Sequence, residues 1–578
     1  MHHAPLTVPE NEPGDIYEAL RFFFPGAGGF FSVRFHVRAQ KDGMDGTAEI
    51  LAMLSLQHRR PAGFTPRCSQ AWWSEEGRVN NIPVYLKRSA RLLRVLRWPY
   101  VLVLTLLVVR FWLMPLPSSL WLDATGTVFV AKHGSHDPSL LGAAPQAWTS
   151  WYYPFIHCWG NLFGYSEVSL RIPSVVAMLV LLAIVARLSI RLIHADSGWL
   201  AVFACFAFPG ISYNADNVRP YAFGMCLFAG GLLFLVRWLD SVRWLDAALF
   251  LACAASVLYV HLMFWPSYPV LALYAVSRVW FRQTQAGWLR VLTVFTALGL
   301  ALVPPLLQML SLLPEAHAHV TWSMPTRLEL LHSLALTRIV ACAAGALLFR
   351  YLGERHLSRI VSAPAVVLVA GWWACQPVLL YCFSMLTGNS VFAPRYVQLG
   401  SAGAAVACVA AASLFLPADY WKLFSIAFGI ATLLYLGQWS VLLPSHDTDW
   451  RGAAAAANRA ITTSDTPVLC PSPFVEARPP VWYPEYSLNG FLYAHMGYYP
   501  IKGKVYPFPF DSSVTAETFA AKLASSTLPT SNRFLIYGRE DAVRYWRGWF
   551  SGRAEFAGWR QQQLGEFNEA EVVQFDKN

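Results

Sequence analysis

Residues 172–193 read IPSVVAMLVLLAIVARLSIRLI, with no charge before Arg187 and no acid anywhere. A helix of that length reaches about 33 Å, against a bilayer hydrocarbon core of about 30 Å. Lipid offers the backbone no hydrogen-bond partner, so such a run must satisfy its peptide groups internally, as a helix. The same signature recurs upstream at 98–116. Downstream it recurs at 198–213, 219–237, 246–262, 264–281, 289–311, 333–350, 363–386, 395–416 and 422–443. Of the 578 residues 56% are hydrophobic and 13% charged, whereas soluble domains carry about 25% charged residues. The sequence therefore predicts a polytopic α-helical membrane protein with about eleven transmembrane helices, and excludes a soluble globular one.

Charge placement gives the topology. Lys87, Arg88, Arg91, Arg94 and Arg97 precede the first span, which puts the amino terminus in the cytoplasm. Arg187 and Arg191, Arg237 and Arg243, Arg278, Arg282 and Arg290, then Arg350, Arg355 and Arg359 all fall at the cytoplasmic ends this phasing predicts. Eleven crossings leave the carboxyl terminus extracytoplasmic, in a cell (inner) membrane. The net charge of +10 is thus a topology signal and not a nucleic-acid footprint. Pro266 and Pro269 mark where a break would fall if 246–262 and 264–281 are not two clean spans. The ten cysteines show no metal-type spacing and read as small apolar packing residues.

Three segments stand apart from the spans. Residues 1–85 hold no apolar run of membrane length, and Met1-His2-His3 does not open a signal peptide. A poorly ordered cytosolic tail is expected there. The transmembrane domain is 86–443, and inside it 117–171 forms a long first external loop, too polar and Gly/Pro-broken to span. Residues 444–578 alternate helix and strand signals: an Ala-rich helix over 451–461, strands at 467–470, 534–537 and 572–575, and a helix over 541–550. A small α/β extracytoplasmic domain follows.

Acids at membrane depth are costly, so the few that occur are candidates for chemistry. Asp123 follows the first span, and Asp216 sits in the tight turn between the third and fourth spans, on the same side. The alternatives are structural: Asp123 capping the helix that starts at Ala124, and Asp216 as a turn residue paired with Arg219. His133, His136 and Asp137 offer nitrogen and oxygen ligands for a divalent metal, or form an ordinary loop. Trp148, Trp151, Tyr152 and Tyr153 cluster where sugar rings could stack, although aromatic residues also gather at membrane interfaces for physical reasons.

The string Trp159-Gly-Asn-Leu-Phe-Gly-Tyr-Ser-Glu-Val-Ser-Leu-Arg171-Ile-Pro-Ser174, preceded by an acid just after the first span, resembles the polyprenyl-phosphate-dependent glycosyltransferases. That family includes the protein O-mannosyltransferases and the lipid A aminoarabinose transferase and has the C-type membrane fold. Arg219-Pro220-Tyr221, Tyr259-Val260-His261, Pro394-Arg395-Tyr396 and Asp449-Trp450-Arg451 also resemble family positions, so the likeness covers about 98–460. The chain departs from the mannosyltransferases, which carry Asp-Glu where it has Asp123-Ala124.

The resemblance implies inverting transfer of a sugar from a polyprenyl-phosphate donor to a protein, lipid or glycan acceptor at the extracytoplasmic face, with membrane lipid as the surroundings. It implies Asp123 as general base, and Asp216 as a second acid that orients the acceptor or helps hold a metal. Arg395, then Lys132 and Arg219, would receive the leaving phosphate, because charge accumulates there in the transition state. His261, Tyr221, Tyr396 and Trp151 would line the sugar. A divalent metal is the one cofactor the reading leaves open. A transporter or flippase of lipid-linked sugars is the alternative, and a membrane scaffold a third. The absence of an internal repeat speaks against a transporter.

Overall fold

The computed structural model describes residues 98–140, 147–312, 323–352, 361–437, 439 and 448–578. Within 1–87, a unit of its own, it describes an antiparallel ribbon pairing Ala19–Phe22 with Phe31–Arg34. The tail expected over 1–85 otherwise lies outside the described residues, as do the basic residues 87–97.

Each of the apolar runs contains helix, but not all are straight or long. Among the described residues five helices are long and apolar enough to cross a membrane: Glu167–Leu192, Tyr221–Ser241, Trp288–Leu312, Ala363–Thr387 and Pro394–Ser413. Seven result if two bent pairs count as one span each. The run 198–213 is one such pair, Gly198–Phe206 and Pro209–Ala215, turned by 79°. Pro209 lacks the N–H that would continue the first helix and instead opens the second. Around His261 the chain does break. Trp244–Val260 ends there, His261 is extended (φ −163°), and a 3₁₀ turn Leu262–Ser267 leads into Tyr268–Trp280. The run 395–416 likewise opens with a short helix Pro394–Val397 and a 3₁₀ turn Gln398–Gly400 before Ser401–Ser413.

Within 117–171 the described residues form helices Leu122–His133 and Tyr152–Phe163, each of 12 residues and too short to span, with a 3₁₀ turn at Pro138–Leu140. Both helices end on glycines of positive φ, Gly134 at 90° and Gly164 at 83°. At these positions a side chain would be strained, so the two glycines act as helix stops.

Helix packing follows the small residues. A Cβ added to Gly403 would meet the backbone of Trp372 at 2.4 Å, and one added to Gly224 would meet the Phe264 ring at 2.1 Å. Close approach of this kind is what small residues permit between membrane helices. At one end of the bundle Asp240 accepts from both Arg191 and Arg278, tying together the carboxyl ends of Glu167–Leu192, Tyr221–Ser241 and Tyr268–Trp280. Asp123 lies at the opposite end, beyond the start of Glu167–Leu192.

Residues 448–578 build a five-stranded sheet in the order Lys504–Phe508, Pro467–Pro471, Arg533–Arg539, Ala570–Asp576, Arg560–Phe567. The first three strands are parallel and the last two pair antiparallel. Val514–Ser526 and Glu540–Ser551 cover one face. On the other, Trp450, His495 and Tyr537 share a core with Phe129 and Val130 of the first-loop helix. The sheet is thus packed onto the segment that carries Asp123.

That shared core holds a buried histidine. The His495 ring lies 4.8 Å from Trp450 and 5.8 Å from Tyr537, and burial pushes its pKa down to about 3. An unfolded chain takes up this proton near pH 6.5. Between those values the unfolded state binds more protons, so stability falls with falling pH, by up to about 1.4 kcal/mol per unit. In melts of detergent-purified protein at pH 7 and pH 5, His495→Phe is expected to lose less melting temperature on acidification than wild type. An equal loss would remove His495 as the acid-sensitive group.

Candidate functional site

Asp123 stands in the first turn of Leu122–His133, but it does not cap it. Trp121 is the N-cap and no side chain closes the end. The carboxylate turns instead to Arg395, whose Nη1 donates to Oδ2 at 2.6 Å, and to Arg219, whose Nη2 lies 3.6 Å from the same oxygen. Arg219 also donates through Nη1 to the Asp123 carbonyl and to Thr127 Oγ1, both at 3.1 Å. Exposure of the three side chains is 20% for Asp123, 15% for Arg219 and 30% for Arg395, so the cluster is sheltered yet open to a ligand. The Nε atoms of both arginines are buried without a hydrogen-bond partner. One carboxylate thus faces two guanidinium groups that still hold unused donors.

Aromatic rings wall the cluster. Tyr221 lies 5.1 Å from His261 and 6.3 Å from Tyr396, and His261 lies 5.7 Å from Tyr396. Arg219 sits over the Tyr221 ring and Arg395 over Tyr396, each 5.4 Å from the centroid. His261 Nδ1 accepts from its neighbour Met263 N at 3.2 Å, which places the ring proton on Nε2. Tyr153 was singled out in the sequence only as one of an aromatic group. Burial raises its phenol pKa, with Arg219 opposing and Tyr221 and Asp123 adding to the rise, which marks it as an electrostatic neighbour of the cluster.

The other expected residues are placed differently. Trp151 is beside the wall, its backbone N donating to Tyr259 O at 3.3 Å and its ring 5.9 Å from Phe223. Asp216 is buried and partnered at the end of Pro209–Ala215, three residues before Arg219. Lys132 is not with the arginines. It lies nine residues beyond Asp123 on the same helix, about 14 Å along the axis, exposed over the Tyr165 ring at 4.8 Å. His133, His136 and Asp137 do not converge either. His133 Nδ1 bonds Phe129 O at 3.0 Å, His136 faces Trp148 at 5.6 Å, and Asp137 accepts from Ser139 N at 2.9 Å. Among the described residues no group of three or more His, Cys, Asp or Glu is arranged to hold a metal ion.

The motif at 166–174 explains how the cluster is held. Arg171 is fully buried and donates to three carbonyls of one turn of backbone: Leu116 O at 2.7 Å, Ser118 O at 2.6 Å and Ser119 O at 2.9 Å. This fixes the segment just before Asp123. Ser174 Oγ donates to Asn217 O at 2.6 Å, and Trp121 Nε1 donates to Asn217 Oδ1 at 2.7 Å, which fixes the turn carrying Arg219. Glu167 pairs with Arg451 at 3.3 Å and accepts from Tyr499 at 3.2 Å, while Tyr499 Oη accepts from Leu120 N at 2.8 Å. The first two turns of Glu167–Leu192 therefore lock the Asp123 segment, the Arg219 turn and the carboxyl-terminal sheet together.

Fold and site together are those of a helical membrane protein whose acid–arginine cluster lies at one end of the bundle. No family model matches the chain, and no curated protein matches its sequence. In structure it is similar to ArnT from Cupriavidus metallidurans, solved in an apo state and bound to undecaprenyl phosphate. Each has 11% identity and a TM-score of 0.47 over 82% of this chain and 97% of that one. It is also similar to the arabinofuranosyltransferase AftD from Mycobacteria, with 14% identity and a TM-score of 0.42 over 84% of this chain and 42% of that one. Scores of this size leave the function to be argued from the residues.

Replacing Arg171 by Leu strands three carbonyls at once, two of them in buried bonds. The expected cost is about 3 kcal/mol or more, seen as a melting temperature several degrees below wild type in detergent. A wild-type melting curve would mean that other contacts hold the 116–119 turn.

Proposed function

We propose that the chain transfers a sugar, with inversion, from a polyprenyl-phosphate carrier to an acceptor at the extracytoplasmic face of the membrane. The convergence of Arg395 and Arg219 on Asp123 carries this proposal. Inverting transfer needs a carboxylate to take the acceptor's proton as it attacks, and cations to receive the phosphate as the sugar–phosphate bond breaks. Asp123 is the base. Arg395 and Arg219 receive the phosphate through their guanidinium groups. Tyr221, Tyr396, His261 and Trp151 form the wall against which the sugar lies, and Asp216 acts on the acceptor side. Lys132 has no part in the phosphate site. Any divalent metal would have to be completed by the donor's own phosphate oxygens.

Two observations support a lipid-linked donor. The arginines sit at helix ends in a bundle built of membrane-length apolar helices, where a carrier anchored in the bilayer presents its phosphate. Behind the Pro394–Gly400 segment lies a cavity of about 380 Å³ with an apolar side of Phe208, Trp373, Phe392 and Val397, against which part of a prenyl chain could lie, and a polar side that includes Glu329, His332 and Arg338. The arginine-rich helix ends tied by Asp240 lie opposite the cluster, as expected if that end is cytoplasmic and eleven crossings leave the carboxyl-terminal sheet outside.

The test is sugar release from radiolabelled polyprenyl-phosphate donors by purified protein supplied with an acceptor extract. Asp123→Asn is expected to lower turnover by about 100-fold or more with donor KM little changed. Arg395→Ala is expected to lower kcat and raise donor KM together. Unchanged turnover in Asp123→Asn would overturn the assignment of the base, and no turnover by folded wild-type protein with any donor would overturn the activity.

A further inference from the structure

Gln376 lies in the middle of Ala363–Thr387, a helix of membrane length, and only 2% of it is exposed. A primary amide at that depth is costly unless its donors and acceptor are used. They are used on two places far apart in the chain. Nε2 donates to Met263 O at 2.9 Å and to Tyr396 O at 3.1 Å, and Oε1 accepts from Ser267 Oγ at 3.5 Å. Met263 and Ser267 belong to the 3₁₀ turn that follows His261. Tyr396 belongs to the short helix that carries Arg395.

Both places are breaks in helices, where the backbone does not run on in one regular ladder and its geometry must be set from outside. One side chain spans the two breaks. The packing around it leaves little slack: a Cβ on Gly400 would stand 3.3 Å from Gln376 Cβ, and one on Gly403 would strike the Trp372 backbone. Across the joint, His261 and Tyr396 face each other at 5.7 Å, and Arg395 reaches Asp123 at 2.6 Å.

We infer that Gln376 is a positioning residue for glycosyl transfer, an amide that sets Arg395 and Tyr396 in register against His261 and Asp123. It touches none of the reacting atoms and acts through Arg395. The inference rests on the proposed transfer for its kinetic test, and on the two hydrogen-bonded breaks for its structural one.

Gln376→Met keeps the length of the side chain and removes both donors. With donor saturating, kcat is expected to fall by about tenfold or more while donor KM moves less than about threefold, the pattern of a misplaced transition-state contact. In the Arg395→Ala background the same change is expected to lower kcat by less than about twofold, because the group it positions is gone. Independent losses that multiply would overturn the inference. Hydrogen–deuterium exchange in nanodiscs needs no activity. Gln376→Met is expected to raise exchange in 262–267 and 394–400 together and leave the carboxyl-terminal sheet at wild-type protection. A rise throughout the protein, or in neither break, would reduce Gln376 to a packing residue. Wild-type protein without transfer activity would contradict the proposed function, and the exchange result would still decide Gln376.

Discussion

Asp123 and Arg395 stand 272 residues apart in the chain and meet at 2.6 Å. Holding a carboxylate and a guanidinium together at the end of a membrane bundle requires that every element behind them be fixed, since a loose ion pair in partial solvent contributes little. Much of the architecture can be traced to that requirement. Arg171 fastens the backbone before Asp123, Ser174 and Trp121 fasten the turn carrying Arg219, and Tyr499 and Glu167 bring the carboxyl-terminal sheet onto the same segment. Arg395 is placed from the other side, by a helix that starts at Pro394 and packs by its glycines against Ala363–Thr387. The pair also explains the unused donors beside it. A second guanidinium next to a carboxylate already paired leaves an excess of positive charge, and phosphate is the ligand whose oxygens match planar guanidinium groups two at a time.

The breaks in the helices are as informative as the helices. Straight apolar helices would have covered 198–213, 246–262, 264–281 and 395–416, and instead Pro209, His261 with the 3₁₀ turn after it and the Pro394–Gly400 segment interrupt them near one end of the bundle. Irregular backbone at membrane depth persists only where protein buries it or a cavity needs it. Here it does both: Gln376 occupies two of the freed carbonyls, and the 380 Å³ cavity lies behind one break.

The apolar runs were legible because a bilayer imposes length and composition directly on sequence, and the chain forms helix wherever they occur. The bends were legible only where proline announced them, at Pro266 and Pro269, and Pro209 was overlooked because the run around it stays apolar. In the first loop the glycines mark where the chain breaks, and Gly134 and Gly164 each end a helix that composition alone does not bound. Asp123, Arg219, Arg395, Tyr221, Tyr396 and His261 could be named from their neighbourhood in sequence, and the structure brings them together. Lys132 could not be separated from them, because a cation two or more turns further along the same helix looks the same in one dimension. Gln376 and Arg171 as a backbone clamp left no local signal, since their partners are carbonyls whose identity depends on the fold.

The most direct test of the account is a cryo-EM structure of the protein in nanodiscs with polyprenyl phosphate bound. The account predicts phosphate density bridging the Arg395 and Arg219 guanidinium groups, with the Asp123 carboxylate released from Arg395 to face the acceptor side. Phosphate held elsewhere, with the Asp123–Arg395 pair intact beneath it, would contradict it.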